Sequence, residues 1–324
     1  STCHTLTIAS MISWGFLGAG WIAKSALAPA VHAASNATLR AVASRNHERA
    51  QGLSPHIVYE RYEDLLADPT IDAVYINLAN DQHCKWSVAA MAAGKHVLCE
   101  KPIALDFAQT QEMADAAKKY DRVLVEAVWS QWHPRFIRAV ELIQAGDIGK
   151  LTGINSSFCF TGNFTDNYRL DPAMGGGSLL DVGVYQAHAW AALHPTAMNL
   201  QISSVVENIS TSGVDLTSKI SGRLGGTVKI DAIASFEMPE QQRLVISGDL
   251  SSIEFLGNEA FTSWHKESVL RIGDQVERFA PVDPYRLMVE RFGEHISGED
   301  GWIMPMSQSL AVMQVIDQIK AFNR

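Results

Sequence analysis

Basic residues are in the minority in this chain: 26 Lys and Arg stand against 35 Asp and Glu, for a net charge of −9 at neutral pH. They form no run. A surface that follows a phosphate backbone needs a basic stripe, so nucleic acid is not an expected partner. Long apolar stretches are also missing. None approaches the roughly 18 residues of a membrane span, so no membrane association is expected. Cysteine is sparse, and Cys3, Cys84, Cys99 and Cys159 form no paired framework. They read as reduced thiols of a cytoplasmic protein. His83–Cys84 and His96–Cys99 lack a zinc spacing, so no metal site is expected. There is no internal repeat and no low-complexity linker. The start of the chain lacks the charged and apolar regions of a leader, and residues 1–10 read as an extension without a fold role ahead of Met11.

What is present suits a globular protein. The 324 residues are 47% hydrophobic and 19% charged, enough apolar material for two domains. Residues 12–130 alternate apolar strands (Ile12–Leu17, Thr38–Ala43, Ala73–Leu78, His96–Cys99, Val123–Val128) with helical stretches near Trp21–Ala34, Tyr62–Ala67, Gln82–Ala93 and Phe107–Tyr120. Continuous apolar strands alternating with helices indicate an α/β fold with a doubly wound parallel sheet. From residue 151 the texture changes to successive strands: Leu151–Phe160, Leu200–Thr211, Leu216–Leu224, Thr227–Phe236, Gln242–Ser247, Ile253–Leu256 and Val269–Phe279. Gly225–Gly226, Gly248–Asp249 and Gly273–Asp274 have the chemistry of hairpin loops, which implies a large, mostly antiparallel open sheet in an α+β domain. Helices are expected near Ser178–Leu193, Pro284–Ser297 and Ser307–Phe322. Pro134–Ala145 reads as a helix joining the halves, so we place the domains at 11–131 and 132–324, with the C-terminal helix packing back on the first.

The sharpest motif is Gly18-Ala19-Gly20-Trp21-Ile22-Ala23, between the first strand and a helix. Gly18 permits the turn, Gly20 allows the backbone to approach a pyrophosphate, and Ala23 keeps helix and strand close. The N–H groups of the helix start then face the ligand with positive partial charge. An NAD site usually carries Asp or Glu at the end of the second strand for the ribose 2′-hydroxyl. Here that strand ends Ala43-Ser44-Arg45-Asn46. Ser44 and Arg45 suit a 2′-phosphate, which favours NADP over NAD. The competing reading of Arg45 is a solvated residue stacking on adenine.

Three further segments carry chemistry. Cys99-Glu100-Lys101-Pro102 ends a predicted strand at the carboxyl edge of the sheet, where ligands bind. Glu100 and Lys101 are therefore candidate cofactor contacts, although such a pair is by itself often only a surface pair. In Gly175-Gly176-Gly177-Ser178-Leu179-Leu180-Asp181-Val182-Gly183-Val184-Tyr185 the glycines offer backbone N–H groups ahead of a helix. Asp181 and Tyr185, four residues apart, share a face. A lysine beside the phenol would draw the Tyr185 pKa toward working pH, and Asp181 would orient a substrate hydroxyl. The alternative is a capped helix with a core tyrosine, and His188 on the adjacent turn reads as a core histidine. In Asn80-Asp81-Gln82-His83, Asn80 is expected to cap the following helix, residues 78–80 (Leu78 and Asn80 among them) to reach the cofactor ribose, and His83, at the helix start, to serve a structural role rather than catalysis while counting among the candidate cofactor contacts. Trp21, Trp129 and Trp132 are open between cleft lining and core packing.

Taken together, G-x-G-x-x-A, N-x-x-H, Glu100-Lys101-Pro102 and G-G-G-x-L-x-D-x-G-x-Y resemble the glucose–fructose oxidoreductase, inositol dehydrogenase and MocA family, from Met11 onward and in the same order. Tyrosine at 185 and the stretch Asn167-Tyr168-Arg169-Leu170-Asp171-Pro172 are similar to the dihydrodiol dehydrogenase branch. Leu78-Ala79 departs from the more polar Thr-Pro that commonly precedes Asn80, which leaves the nicotinamide-ribose contacts open. The resemblance implies NAD(P)-dependent hydride transfer at a carbinol or carbonyl carbon of a sugar, cyclitol or dihydrodiol-like substrate. Lys101, Asp181 and Tyr185 would be catalytic and substrate-contacting, with Asn163, Tyr168 and Arg169 as further candidate substrate contacts. It also implies a homodimer or homotetramer through the second sheet. Two rivals stand beside it: a glycosidase using bound NAD as an internal hydride shuttle, and a non-catalytic NADP-binding sensor.

Overall fold

In the computed structural model, which describes residues 11–165, 167–194 and 198–323, the first half of the chain alternates strand and helix. Its strands are β1 (Ile12–Leu17), β2 (Ala37–Ala43), β3 (Ile57–Tyr59), β4 (Ala73–Ile76), β5 (His96–Cys99) and β6 (Leu124–Glu126). They form one parallel sheet in the order β3-β2-β1-β4-β5-β6. The helices are α1 (Ala28–Ala33), α2 (His47–Gln51), α3 (Tyr62–Ala67), α4 (His83–Ala92) and α5 (Phe107–Lys119). α1 is preceded by a π-helical turn, Ala23–Leu27. β4 is buried at every position, as a strand covered on both faces must be. The sequence did not reveal β3 or α2. At three and five residues, they are too short for a periodic signal.

After α6 (Pro134–Ala145) comes a second sheet of β7 (Leu151–Cys159), β8 (Leu200–Ile209), β9 (Asp215–Leu224), β10 (Val228–Ser235), β11 (Gln241–Gly248), β12 (Ser252–Leu256), β13 (Ser268–Ile272) and β14 (Gln275–Phe279). Its order is β14-β13-β12-β11-β7-β10-β9-β8. Every pair is antiparallel except β10 with β7. The three glycine loops fall at the β9–β10, β11–β12 and β13–β14 turns, so the expected last strand is a hairpin. α7 (Val184–Leu193) packs on β7, and the chain closes with α8 (Pro284–Ile296) and α9 (Met306–Ala321). Residues 1–10, with Cys3, lie outside the described residues. No described helix is long and apolar enough to cross a membrane.

A buried carboxylate ties the two halves together. Glu126, at the end of β6, is fully buried. Its Oε1 accepts from the Ile103 N–H at 3.0 Å, just past the Lys101-Pro102 turn, and its Oε2 accepts from Ser309 Oγ of α9 at 2.6 Å. His188 Nε2 of α7 lies 3.0 Å from the same Oε2, and its Nδ1 lies 3.1 Å from Gln308 Nε2 of α9. Burial pushes the Glu126 carboxyl up. His188, then Ser309 and the Ile103 N–H, outweigh it and hold the group below the usual carboxylate range. α9 adds an Asp317 cap on the Phe107 N–H of α5. Removing the carboxylate leaves the buried Ile103 N–H and Ser309 hydroxyl without their acceptor, so Glu126→Ala is expected to cost about 2–5 kcal/mol, read as a lower urea midpoint. Because the folded pKa is depressed, this stabilisation is present above the ordinary carboxylate pKa and is lost as pH falls through the folded value.

Candidate active site

The order of the first sheet reverses between β1 and β4, and a crevice opens outside the carboxyl ends of those strands. Gly18, at φ +93°, and Gly20 sit there. A Cβ on Gly18 would lie 2.2 Å from Asn77 O, and one on Gly20 would lie 2.4 Å from Asn77 Oδ1. The exit of β4 therefore demands glycine at 18 and, with the Asn77 amide in place, leaves no room for a side chain at 20, and the same close fit brings backbone to the crevice. The first N–H groups of a helix have no partner inside it, so the Ala19–Ile22 turn offers donors at this point. Trp21 points outward, 77% exposed, while Leu78 lies against Gly18. At the end of β2, Ser44 Oγ accepts from the Asn46 N–H, and Arg45 is exposed with no carboxylate beside it in sequence. A phosphorylated dinucleotide fits these residues: a glycine-lined turn for the pyrophosphate, and a hydroxyl and a guanidinium for the 2′-phosphate.

Asn77 was not singled out from the sequence. Its Nδ2 donates to Tyr75 Oη at 3.2 Å, and Tyr75 donates to Glu100 Oε1 at 2.5 Å. Glu100 Oε2 accepts from the Lys101 N–H. Glu100 is thus turned inward, 9% exposed, with both oxygens engaged within the protein. Burial raises its carboxyl above the usual range against the pull of Tyr75 and Lys101.

Lys101 meets the second half of the chain. Its Nζ donates to Asp181 O at 2.7 Å and to Asp181 Oδ1 at 2.9 Å, and lies 5.1 Å from the centre of the Tyr185 ring. Arg169 Nε donates to Asp181 Oδ2 at 2.7 Å. The expectation that Lys101, Asp181 and Tyr185 come together holds geometrically, though Leu179–Gly183 is wound as a π-helix ahead of α7. Asp181, however, has one oxygen on each cation. Burial pushes its carboxyl up, Lys101 and then Arg169 outweigh burial, and the group sits at about 2. Burial lowers the Lys101 ammonium, but Asp181, Tyr185 and Tyr168 more than reverse this, so it stays charged. The expected pull of Lys101 on Tyr185 is present but overridden. Burial pushes the phenol up to about 12.

Two further expectations are corrected. The Gly175–Gly177 N–H groups are not available to a ligand: they donate to Pro172 O, Asp171 O and Arg169 O. The loop from Tyr168 folds onto the glycines and uses them. Instead, Asp215 of β9 caps the helix start, accepting from the Leu179 N–H and Ser178 Oγ at 2.8 and 2.7 Å. Asn80 does not cap α4. It begins a short 3-10 turn and donates to Gly175 O at 3.0 Å, bridging the two halves. Asn163 is exposed, with Oδ1 accepting from Thr165 of its own loop, and among the described residues no hydrogen bond joins it to Lys101, Asp181 or Tyr185. His83 is buried, its ring nitrogens 2.8 Å from Pro102 O and 3.1 Å from Leu78 O, where it ties the Lys101 turn to the crevice wall. Trp132 is core, while Trp129 reaches the site: its Nε1 donates to Tyr185 Oη at 2.9 Å.

A glycine-lined crevice at the sheet reversal, beside a lysine–aspartate–tyrosine set from a second sheet domain, defines an NAD(P)-dependent oxidoreductase. The chain belongs to the Gfo/Idh/MocA family: residues 12–127 match the oxidoreductase family with NAD-binding Rossmann fold, and residues 136–254 match the GFO/IDH/MocA C-terminal domain. It is similar to D-xylose 1-dehydrogenase (NADP(+)) 2 of Haloferax volcanii, with 32% identity over 94% of this chain and 95% of that protein. It is also similar to trans-1,2-dihydrobenzene-1,2-diol dehydrogenase of Xenopus laevis, with 30% identity over 69% and 75% of the two chains. A 3-ketoreductase from Actinomadura kijaniata, solved in complex with NADP and TDP-benzene, shares the fold with a TM-score of 0.86 at 24% identity over 96% and 97%.

Proposed function

We propose that this enzyme interconverts a secondary or anomeric alcohol and its carbonyl on a sugar-like polyol, using NADP(H). The observation that carries the reading is the Lys101–Asp181–Tyr185 cluster at the carboxyl edge of β5, facing the crevice. The cofactor, when bound by Gly18–Ile22 and by Ser44 and Arg45, supplies or accepts the hydride. Tyr185, as the phenolate, takes the hydroxyl proton in oxidation, and as the phenol gives it back in reduction. Lys101 holds the same oxygen and offsets the charge of the phenolate. With both oxygens of Asp181 on cations, its part is to fix Lys101 and Arg169 in place, and substrate hydroxyls meet Arg169 and Tyr168 at the rim. The similarity to a xylose dehydrogenase over almost the whole chain supports an aldose-like substrate. We assign nucleotide binding to residues 11–131 and substrate binding to 132–324. A second copy would pack on the outer face of the second sheet, and the buried thiols of Cys84, Cys99 and Cys159 suit the reducing cytoplasm.

The test is turnover of a panel of aldoses, cyclitols, dihydrodiols and dicarbonyls with NADP⁺ or NADPH. Turnover of an aldose supports the reading. Turnover of dihydrodiols alone would move the substrate class, and bound NAD that does not exchange would favour the hydride-shuttling glycosidase. Cofactor choice has its own test. Arg45→Ala is expected to weaken NADPH about tenfold, the loss of one charge-assisted contact, with NADH nearly unchanged in fluorescence titration. Equal effects on both would remove Arg45 from the phosphate.

A further inference from the structure

Trp129 follows β6 in a 3-10 turn, Trp129–Trp132, and is 6% exposed. One face of its indole stacks on Tyr285 of α8, with ring centres 4.5 Å apart and planes at 22°. Tyr285 in turn meets the edge of Trp264, which donates to Asp283. The indole is therefore clamped, and its N–H stays aimed at Tyr185 Oη. An indole nitrogen only donates, so the phenol oxygen must accept. Among the described residues, no acceptor lies on the phenol's own proton. Two of the three protons of Lys101 Nζ are committed to Asp181, and the ammonium stands over the face of the Tyr185 ring rather than at its oxygen.

We infer that Trp129 is a positioning residue for proton transfer: its N–H directs the Tyr185 proton toward the substrate and stabilises the phenolate left when that proton departs. This rests on the reading of Tyr185 as the proton-transfer group. A phenolate in a buried pocket needs a donor, because burial alone penalises its charge. Burial is the largest influence on Tyr185. Lys101 and the Trp129 N–H oppose it, while Glu100 and Asp181 act with it. Arg169 faces the same cluster from the Tyr168 turn, and Tyr285 lies behind Trp129. Phe158 and Phe261, with ring centres 5.5 and 6.4 Å away, are apolar. The Trp129 N–H is thus the only directional donor on Oη among the described residues.

The experiment replaces Trp129 by 3-benzothienylalanine, which keeps the shape and the stack but has sulfur in place of N–H. Trp129→Phe and Tyr185→Phe are measured alongside. The readout is kcat/KM for alcohol oxidation across pH, together with NADPH affinity. We expect the rising limb to move toward higher pH by about one unit, an approximately tenfold loss at fixed pH on that limb, with NADPH affinity unchanged. In a Tyr185→Phe background, the same replacement should have no further effect. An unmoved limb in the benzothienyl enzyme, with Tyr185→Phe still impaired, overturns the inference and leaves Trp129 a packing residue. Full turnover in Tyr185→Phe overturns the underlying reading, and this inference with it.

Discussion

Tyr185→Phe is expected to lower kcat by about 10²–10⁴ in both directions, with NADPH affinity unchanged. The loss is chemical rather than structural. The phenol oxygen makes one hydrogen bond, from Trp129, and the ring packs against Phe158 and Phe261, contacts a phenylalanine keeps. What disappears is the phenol proton, which no internal acceptor claims among the described residues. Burial holds that proton at a pKa of about 12, so oxidation should speed up as pH rises toward that value. In the variant, the tyrosine-dependent part of this pH response should vanish. Steady-state rates with NADP⁺ over a pH series decide the matter. If turnover survives in Tyr185→Phe and is lost in a Lys101 variant, the proton passes to Lys101.

For Lys101→Met we expect a loss of about 10²–10³ in kcat, the scale of removing a preorganised electrostatic contact from a dry site. The methylene stem is kept and the ammonium is not, so the substrate oxygen loses its anchor and the Tyr185 phenolate loses its nearest cation. The variant should also change the acid stability of the protein. Asp181 is held at about 2, with burial opposing and Lys101 and Arg169 prevailing. A depressed carboxylate stabilises the fold at pH values above its unfolded pKa, near 4, and that contribution fades as pH falls toward 2. Without Lys101 only Arg169 opposes burial, so the folded pKa of Asp181 should rise. The variant should then lose less stability than the parent between about pH 4 and 2. Urea titrations at several pH values read this directly. Low activity with a parental acid profile would mean that Lys101 does not govern Asp181.

Much of the site could be read from local sequence because its demands are local. Gly18 and Gly20 are forced by backbone conformation and close approach. Lys101 marks the end of a strand in a parallel sheet, and Asp181 and Tyr185 share a helix spacing. What escaped depended on partners distant in the chain. Asn80 has the chemistry of a cap, yet its side chain serves Gly175, 95 residues away. The three consecutive glycines suggested free donors, but the carbonyls of Arg169, Asp171 and Pro172 occupy them. That Arg169 stands on the second oxygen of Asp181, opposite Lys101, depends on how the Tyr168 turn folds back.

The sequence by itself determined the two-sheet architecture, the dinucleotide turn, and the Lys101, Asp181 and Tyr185 set, because periodicity, strained glycines and helix spacing act over a few residues. Only the tertiary structure decided which of these groups are charged, which are already paired, and which donor stands on the Tyr185 oxygen. Those properties arise from burial and from contacts between β6, α7, α8 and α9, elements that meet only when the two halves close on one another.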